Sequence, residues 1–225
     1  MKAITQNVWI GVFAALLVAG APAAQAQVRI TEVAAWGSGD SPYGTDWFEL
    51  TNFGSSTVSL SGWTMDDSSN GSAKVAMLGI SAIAPGESVI FTETAASASF
   101  LSTWFGANAP AGLQIGTYTG SGVGLSTSGD AVNVFNSGGV LQANVVFGAS
   151  SSGPLFATFD NAAGLNNATI SQLSLVGVNG AFVALNDAAE IGSPGRIAGV
   201  VPEPASYALM LAGLALVGVI GRRKV

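Results

Sequence analysis

No cysteine and no histidine occur anywhere in the sequence, and only 9% of its residues carry charge. The first two absences remove whole classes of chemistry. Ser-His-Asp and Cys-His nucleophiles cannot be assembled, and neither can zinc or iron sites built on imidazole or thiolate. Without cysteine there is no disulfide, so an exported domain must be held by a packed core alone. Bases are scarce as well. Between residues 27 and 201 twelve acids face only Arg29, Lys74 and Arg196, a net charge of −9 that disfavours nucleic acid as a partner. A Ser-Lys pair would have to use Lys74, and nothing beside it marks an activated nucleophile.

What is present at the two ends is apolar. Residues 1–26 carry one cation, Lys2, then an uncharged apolar run from Val8 to Gly20, then small residues ending Ala24-Gln25-Ala26. That order is the layout of a secretory signal peptide, with cleavage expected after Ala26. The apolar run, about 13 residues, is too short to span a bilayer. At the other end a linker, 199–204, contains Val201-Pro202-Glu203-Pro204, residues 205–221 carry no charge, and Arg222-Arg223-Lys224 close the chain before Val225. The uncharged stretch lies at the short limit for a transmembrane helix, and the basic cluster, 222–225, prefers the cytoplasmic side.

These three parts in order resemble the PEP-CTERM sorting signal of Gram-negative bacteria. The resemblance implies an exosortase as processing partner, with the chain anchored transiently in the inner membrane and then released to the cell surface or the extracellular space.

Between the ends, short runs of Val, Ile, Leu, Phe and Thr alternate with Gly, Ser, Asn and Asp clusters, which predicts an all-β domain over 27–198. Strands are expected near Arg29–Ala35, Trp47–Asn52, Val58–Leu60, Gly62–Met65, Ser88–Thr92, Gln114–Thr119, Ala131–Phe135, Val140–Phe147, Thr169–Leu175 and Phe182–Ala184. Ser137-Gly138-Gly139 reads as a hairpin turn between two of them. Ala95, Ala98, Leu101 and Phe105 fall at helical spacing and predict one short helix. So many β runs, each with a face to bury, suggest a two-sheet sandwich, with a barrel as the rival. In Trp47-Phe48-Glu49-Leu50 the alternation puts Phe48 and Leu50 toward a core and Trp47 and Glu49 toward a rim. Gly54 is expected to end that strand by accepting a positive φ. Leu60 and Trp63 are expected to insert into the sandwich.

A second resemblance rests on Arg29-Ile30-Thr31-Glu32-Val33, Asp46 to Gly54, Leu60 to Asp67, Ile83 to Phe91 and a closing Gly192-Ser193-Pro194-Gly195. Their order and spacing resemble a lamin-tail domain. That implies an immunoglobulin-like β-sandwich, here with one short helix and flanked by the signal helix and the C-terminal transmembrane helix. The Gly- and Ser-rich stretch 106–167 departs from the simplest members and leaves the strand order there open.

Two acidic loops are the best candidate site. Asp40 and Asp46 lie in one and Asp66 and Asp67 in the other, and carboxylates with backbone oxygens suit calcium if the loops are adjacent. No other cofactor is implied. Trp36, Tyr43, Trp47, Trp63 and Trp104 could stack on sugars, although packing is the plainer account. The whole pattern favours a non-enzymatic exported protein that presents its sandwich to extracellular polysaccharide or to other surface proteins. The alternative is a secreted cation-dependent hydrolase of sugars or phosphoesters using the loop carboxylates, since glycoside hydrolysis needs only two acids.

Overall fold

In a computed structural model the chain is described over residues 28–68, 74–119 and 122–196. The expected signal segment, sorting motif, transmembrane helix and basic tail lie outside these residues. The chain forms an all-β sandwich. Ten strands make one continuous sheet: β1 (Val28–Ala34), β2 (Trp47–Asn52), β4 (Thr64–Asp66), β5 (Val75–Leu78), β7 (Ser88–Thr92), β8 (Ile115–Tyr118), β9 (Asp130–Phe135), β10 (Leu141–Phe147), β12 (Phe159–Asp160) and β13 (Ala168–Ile170). Their order is β12-β1-β2-β7-β8-β5-β4-β9-β10-β13. The sheet doubles over, so that β1 packs against β10. Its two edges approach each other where Leu173, just after β13, bridges to Phe159 of β12.

The inner core fills this fold. Ile30, Val33, Phe48, Leu50, Leu60, Trp63, Met65, Phe91, Val132, Val134 and Phe147 are buried there. Phe48 lies 5.7 Å from Phe91 and 5.3 Å from Tyr118 between ring centroids, which joins neighbouring strands through aromatic contact. Leu60 and Trp63 insert as expected. The turn at 136–140 joins β9 and β10 as an antiparallel hairpin, also as expected.

Five strands are additional to those read from the sequence: β5, β12, β6 (Ala82–Ile83), β11 (Phe156–Ala157) and β15 (Asp187–Gly192). Four of them are only two to four residues long, too short for an alternation to register. The fifth, Asp187-Ala-Ala-Glu-Ile-Gly192, has few β-favouring side chains and is held by its neighbours, antiparallel to β14 (Phe182–Ala184) and parallel to β11. A two-stranded pair, β3 (Val58–Ser59) with β6, completes the set.

The rim expected for Trp47 and Glu49 does not exist. Every residue of β2 is buried, because a second layer covers the outer face of β1 and β2. That layer consists of helix α2 (Ser97–Phe105) and the β14–β15 segment. It encloses Trp36, Tyr43, Trp47, Ile90, Phe100, Trp104, Phe105 and Ala184. Trp47 meets Phe100 at 5.4 Å and Trp104 at 5.9 Å, both edge to face. The helix docks through Phe100 and Trp104, one turn apart, the residues expected to pin it; of the positions at helical spacing Phe105 is buried as well, while Ala95 and Ala98 are exposed. Gly54 differs as well. It ends β2 by donating its N–H to the Asn52 side-chain oxygen at 2.9 Å, an Asx turn that needs no positive φ.

Candidate functional site

The acids of the two loops are used locally. A four-residue helix, α1 (Gly37–Asp40), leaves Asp40 exposed beside Thr127, Ser128 and residues 149–152. Asp46 is buried and accepts the Ser38 N–H at 2.8 Å, and burial pushes its carboxyl up to about 6. Asp66 ends β4 and accepts the Asp67 N–H at 3.0 Å, while the Asp67 carbonyl accepts from the Asn133 amide at 2.7 Å. Nearby Asp130, not singled out in the sequence, accepts from the backbone N–H groups of Ser68, Ser126 and Ala131, each at 2.8 Å. The carboxylates of Asp46, Asp66 and Asp130 thus serve as acceptors for backbone N–H groups. Among the described residues no group of three Asp, Glu, His or Cys side chains is placed to hold a metal ion. Trp36, Tyr43, Trp47, Trp63 and Trp104 are all buried and present no ring to a sugar.

The most concentrated polar chemistry lies elsewhere, under the outer layer. A bulge in β1 between Ile30 and Glu32 shifts the register, so that Ile30 faces Leu50 but Glu32 faces Glu49 across the strand pair. Thr31 and Glu32 therefore both serve the outer face. Each carboxyl is fully buried. Burial is the main cause that pushes Glu32 up to about 8, with repulsion from Glu49 second, and burial pushes Glu49 up to about 7.

The closing segment of the domain is fastened to this pair. Ser193 donates its N–H to Glu32 Oε1 at 2.7 Å and its hydroxyl to Oε2 at 3.1 Å, and Thr158 donates to Oε1 as well. Gly195 donates its N–H to Glu49 Oε2 at 2.6 Å, and Thr31 donates to Oε1 at 2.7 Å. A third buried acid continues the pattern. The Trp47 indole donates to the Tyr43 hydroxyl at 3.0 Å, which donates to Glu190 Oε2 at 3.1 Å, and burial pushes Glu190 up to about 8. Two of the domain's three bases stack on aromatic rings: Lys74 sits 3.4 Å above the Phe135 ring and Arg196 3.8 Å above Phe182.

Carboxyls with raised pKa can serve as general acids, but Glu32 and Glu49 are sealed beneath the segment that they bind. Their geometry makes them a clasp for residues 193–195. The only sequence signal for it is the broken alternation in Ile30-Thr31-Glu32-Val33, where two consecutive polar residues interrupt an apolar strand.

The same order of parts emerges from comparison with known families. The family model for the Lamin Tail Domain matches residues 21–149, more than half of the chain, and that for the PEP-CTERM protein-sorting motif matches residues 200–224. Strands β11 to β15 and the clasped segment after them lie beyond the first match. No curated protein and no solved structure matches the chain.

Proposed function

Since the chain belongs to the lamin tail domain family and ends in a PEP-CTERM sorting motif, we propose that it is a non-enzymatic envelope protein whose sandwich serves as a binding module for extracellular polysaccharide or for other surface proteins. The motif implies processing by an exosortase and export to the cell envelope of a Gram-negative bacterium. In this reading the uncharged stretch 205–221 holds the chain in the inner membrane until the Val201-Pro202-Glu203-Pro204 region is processed.

The observation that carries the reading is the sorting match itself, which begins four residues after the last described residue, Arg196. The absence of histidine and cysteine and the local use of the Asp46, Asp66 and Asp130 carboxylates as acceptors for backbone N–H groups support a binding role over catalysis. The test is intact mass with mapping of both termini of the protein isolated from envelope and medium. A species starting near Gln27 and ending near Pro204 is expected. Met1 and Arg222–Val225 retained together in a cytoplasmic fraction would overturn the sorting reading. A panel of glycoside and phosphoester substrates addresses the binding role, and turnover abolished by Asp66→Asn would replace it with catalysis.

A further inference from the structure

The surface beside the exit of the chain differs from the rest of this acidic domain. From Asn161 to Asn186 the sequence carries no charged residue. Leu165, Leu175, Val176, Val178, Val183 and Leu185 in that span are all exposed. They make up more than half of the exposed large apolar residues of the described domain, gathered in one short stretch.

The tip of the stretch is a built turn. Val178 N–H bonds Leu175 O at 2.9 Å, Ala181 N–H bonds Val178 O at 2.8 Å, and Gly177 N–H bonds Ala181 O at 2.8 Å. Gly177, Asn179 and Gly180 supply the positive φ values of 84°, 49° and 84° that so tight a path requires. Asn179 ties the tip to the sheet by donating to Asp160 at 2.8 Å. Leu175, Val176 and Val178 therefore project from a fixed scaffold, whose display needs no ordering on contact.

The chain leaves the domain against this same surface. Arg196 stacks on Phe182, its carbonyl lies close against Gly180, and it shares a groove with Val183 and Leu185. Eight residues, 197–204, then separate it from the uncharged stretch 205–221. Fully extended, such a linker reaches about 29 Å at most. If 205–221 lies in a bilayer, the exit of the domain is held within about 29 Å of the membrane surface. A domain of net charge −9 is repelled by anionic headgroups, and its uncharged face approaches them at least cost.

We propose that the exposed apolar residues Leu175, Val176, Val178, Val183 and Leu185 around the exit of the chain rest on the lipid bilayer while the tail is embedded, so that the sandwich lies against the membrane beside its own sorting motif. This rests on the membrane-anchored, sorted form proposed above. The face lies outside the Lamin Tail Domain match and belongs to the closing part of this chain.

The native absence of cysteine makes the test direct. The full chain is reconstituted in phosphatidylcholine vesicles with a single environment-sensitive dye at Val176→Cys, Val140→Cys or Ala215→Cys, with or without a lipid-borne quencher. Val140 is as exposed as Val176, 59% against 58%, but lies in the β9–β10 turn. The expected result is a blue shift and quenching at Ala215 and Val176 and neither at Val140. Quenching at Ala215 with Val176 behaving like Val140 overturns the proposal and leaves the anchored form standing. A blue shift at Val176 that lipid quencher does not diminish would mean that a second protein copy covers the face, and overturns it too. Absence of quenching at Ala215 overturns both.

Discussion

Replacing Glu32 by Gln tests the buried clasp, because the amide keeps the shape and removes only the ability to ionise. Its oxygen can accept from Thr158 and the Ser193 N–H as Oε1 does now, and its NH₂ can donate to the Ser193 hydroxyl in place of Oε2. The acid itself is held at about 8 against an ordinary 4.5. Its folded form therefore keeps a proton that the unfolded chain releases, so its contribution to stability is full below about pH 4.5 and is lost as pH rises through about 8. At about 1.4 kcal/mol per pH unit that loss reaches roughly 4–5 kcal/mol, and relaxation around the charge should leave about 2–3. For a domain of this size the corresponding shift in Tm is roughly 5–10 °C. Thermal melts of the full chain in non-ionic detergent, followed by tryptophan fluorescence from pH 5 to 8.5, read this out. Glu32→Gln should match the native protein near pH 5 and melt several degrees higher at pH 8.5. Parallel curves, or a variant equally destabilised at both ends of the range, would refute a protonated buried pair.

Three further outcomes follow from packing. Trp63→Ala should cost about 3–5 kcal/mol in chemical denaturation, since the ring is nearly inaccessible within the inner core. Gly192→Ala places a Cβ 2.6 Å from Glu32 Oε1 and 2.9 Å from Trp104 Cη2, and should cost about 1–3 kcal/mol, whereas Gly39→Ala meets nothing within 4 Å and should leave the melt unchanged. Calcium at about 5 mM, above the range of extracellular calcium modules, should leave Tm unchanged because Asp40, Asp46, Asp66 and Asp67 do not assemble as ligands. A rise that Asp66→Asn abolishes would restore the two-loop site.

The sandwich was legible because its strands carry their own signals. Val and Phe runs in β2, β7, β9 and β10 are bounded by Gly, Asn and Ser, and the hairpin at 136–140 advertises its turn. The second layer was not legible, because alternation reports that a strand has two faces and cannot report how many are covered. Trp47 and Glu49 looked like a rim for that reason. The clasp was hidden more deeply. Its donors are backbone groups of Ser193 and Gly195, which any sequence could supply, and its acceptors come together only through a bulge that shifts one strand by a residue. Of the acids visible as clusters, Asp46 and Asp66 accept backbone N–H groups of their own loops, while those that fasten the fold are isolated in sequence.

The fastening of Ser193 to Glu32 spans 161 positions, which has a consequence for how an exported chain can be finished. Translocation delivers β1 first and the covering segment last. Until residues 182–195 have emerged, Trp104 and Phe105 lack the Phe182 ring, and Glu32 and Glu49 lack the donors of Ser193 and Gly195. A sandwich cut at residue 149 would therefore be an open box. The segment that completes the domain ends just before the sorting match at 200–224, so that closure of the fold and recognition of the tail fall on adjacent stretches of one polypeptide.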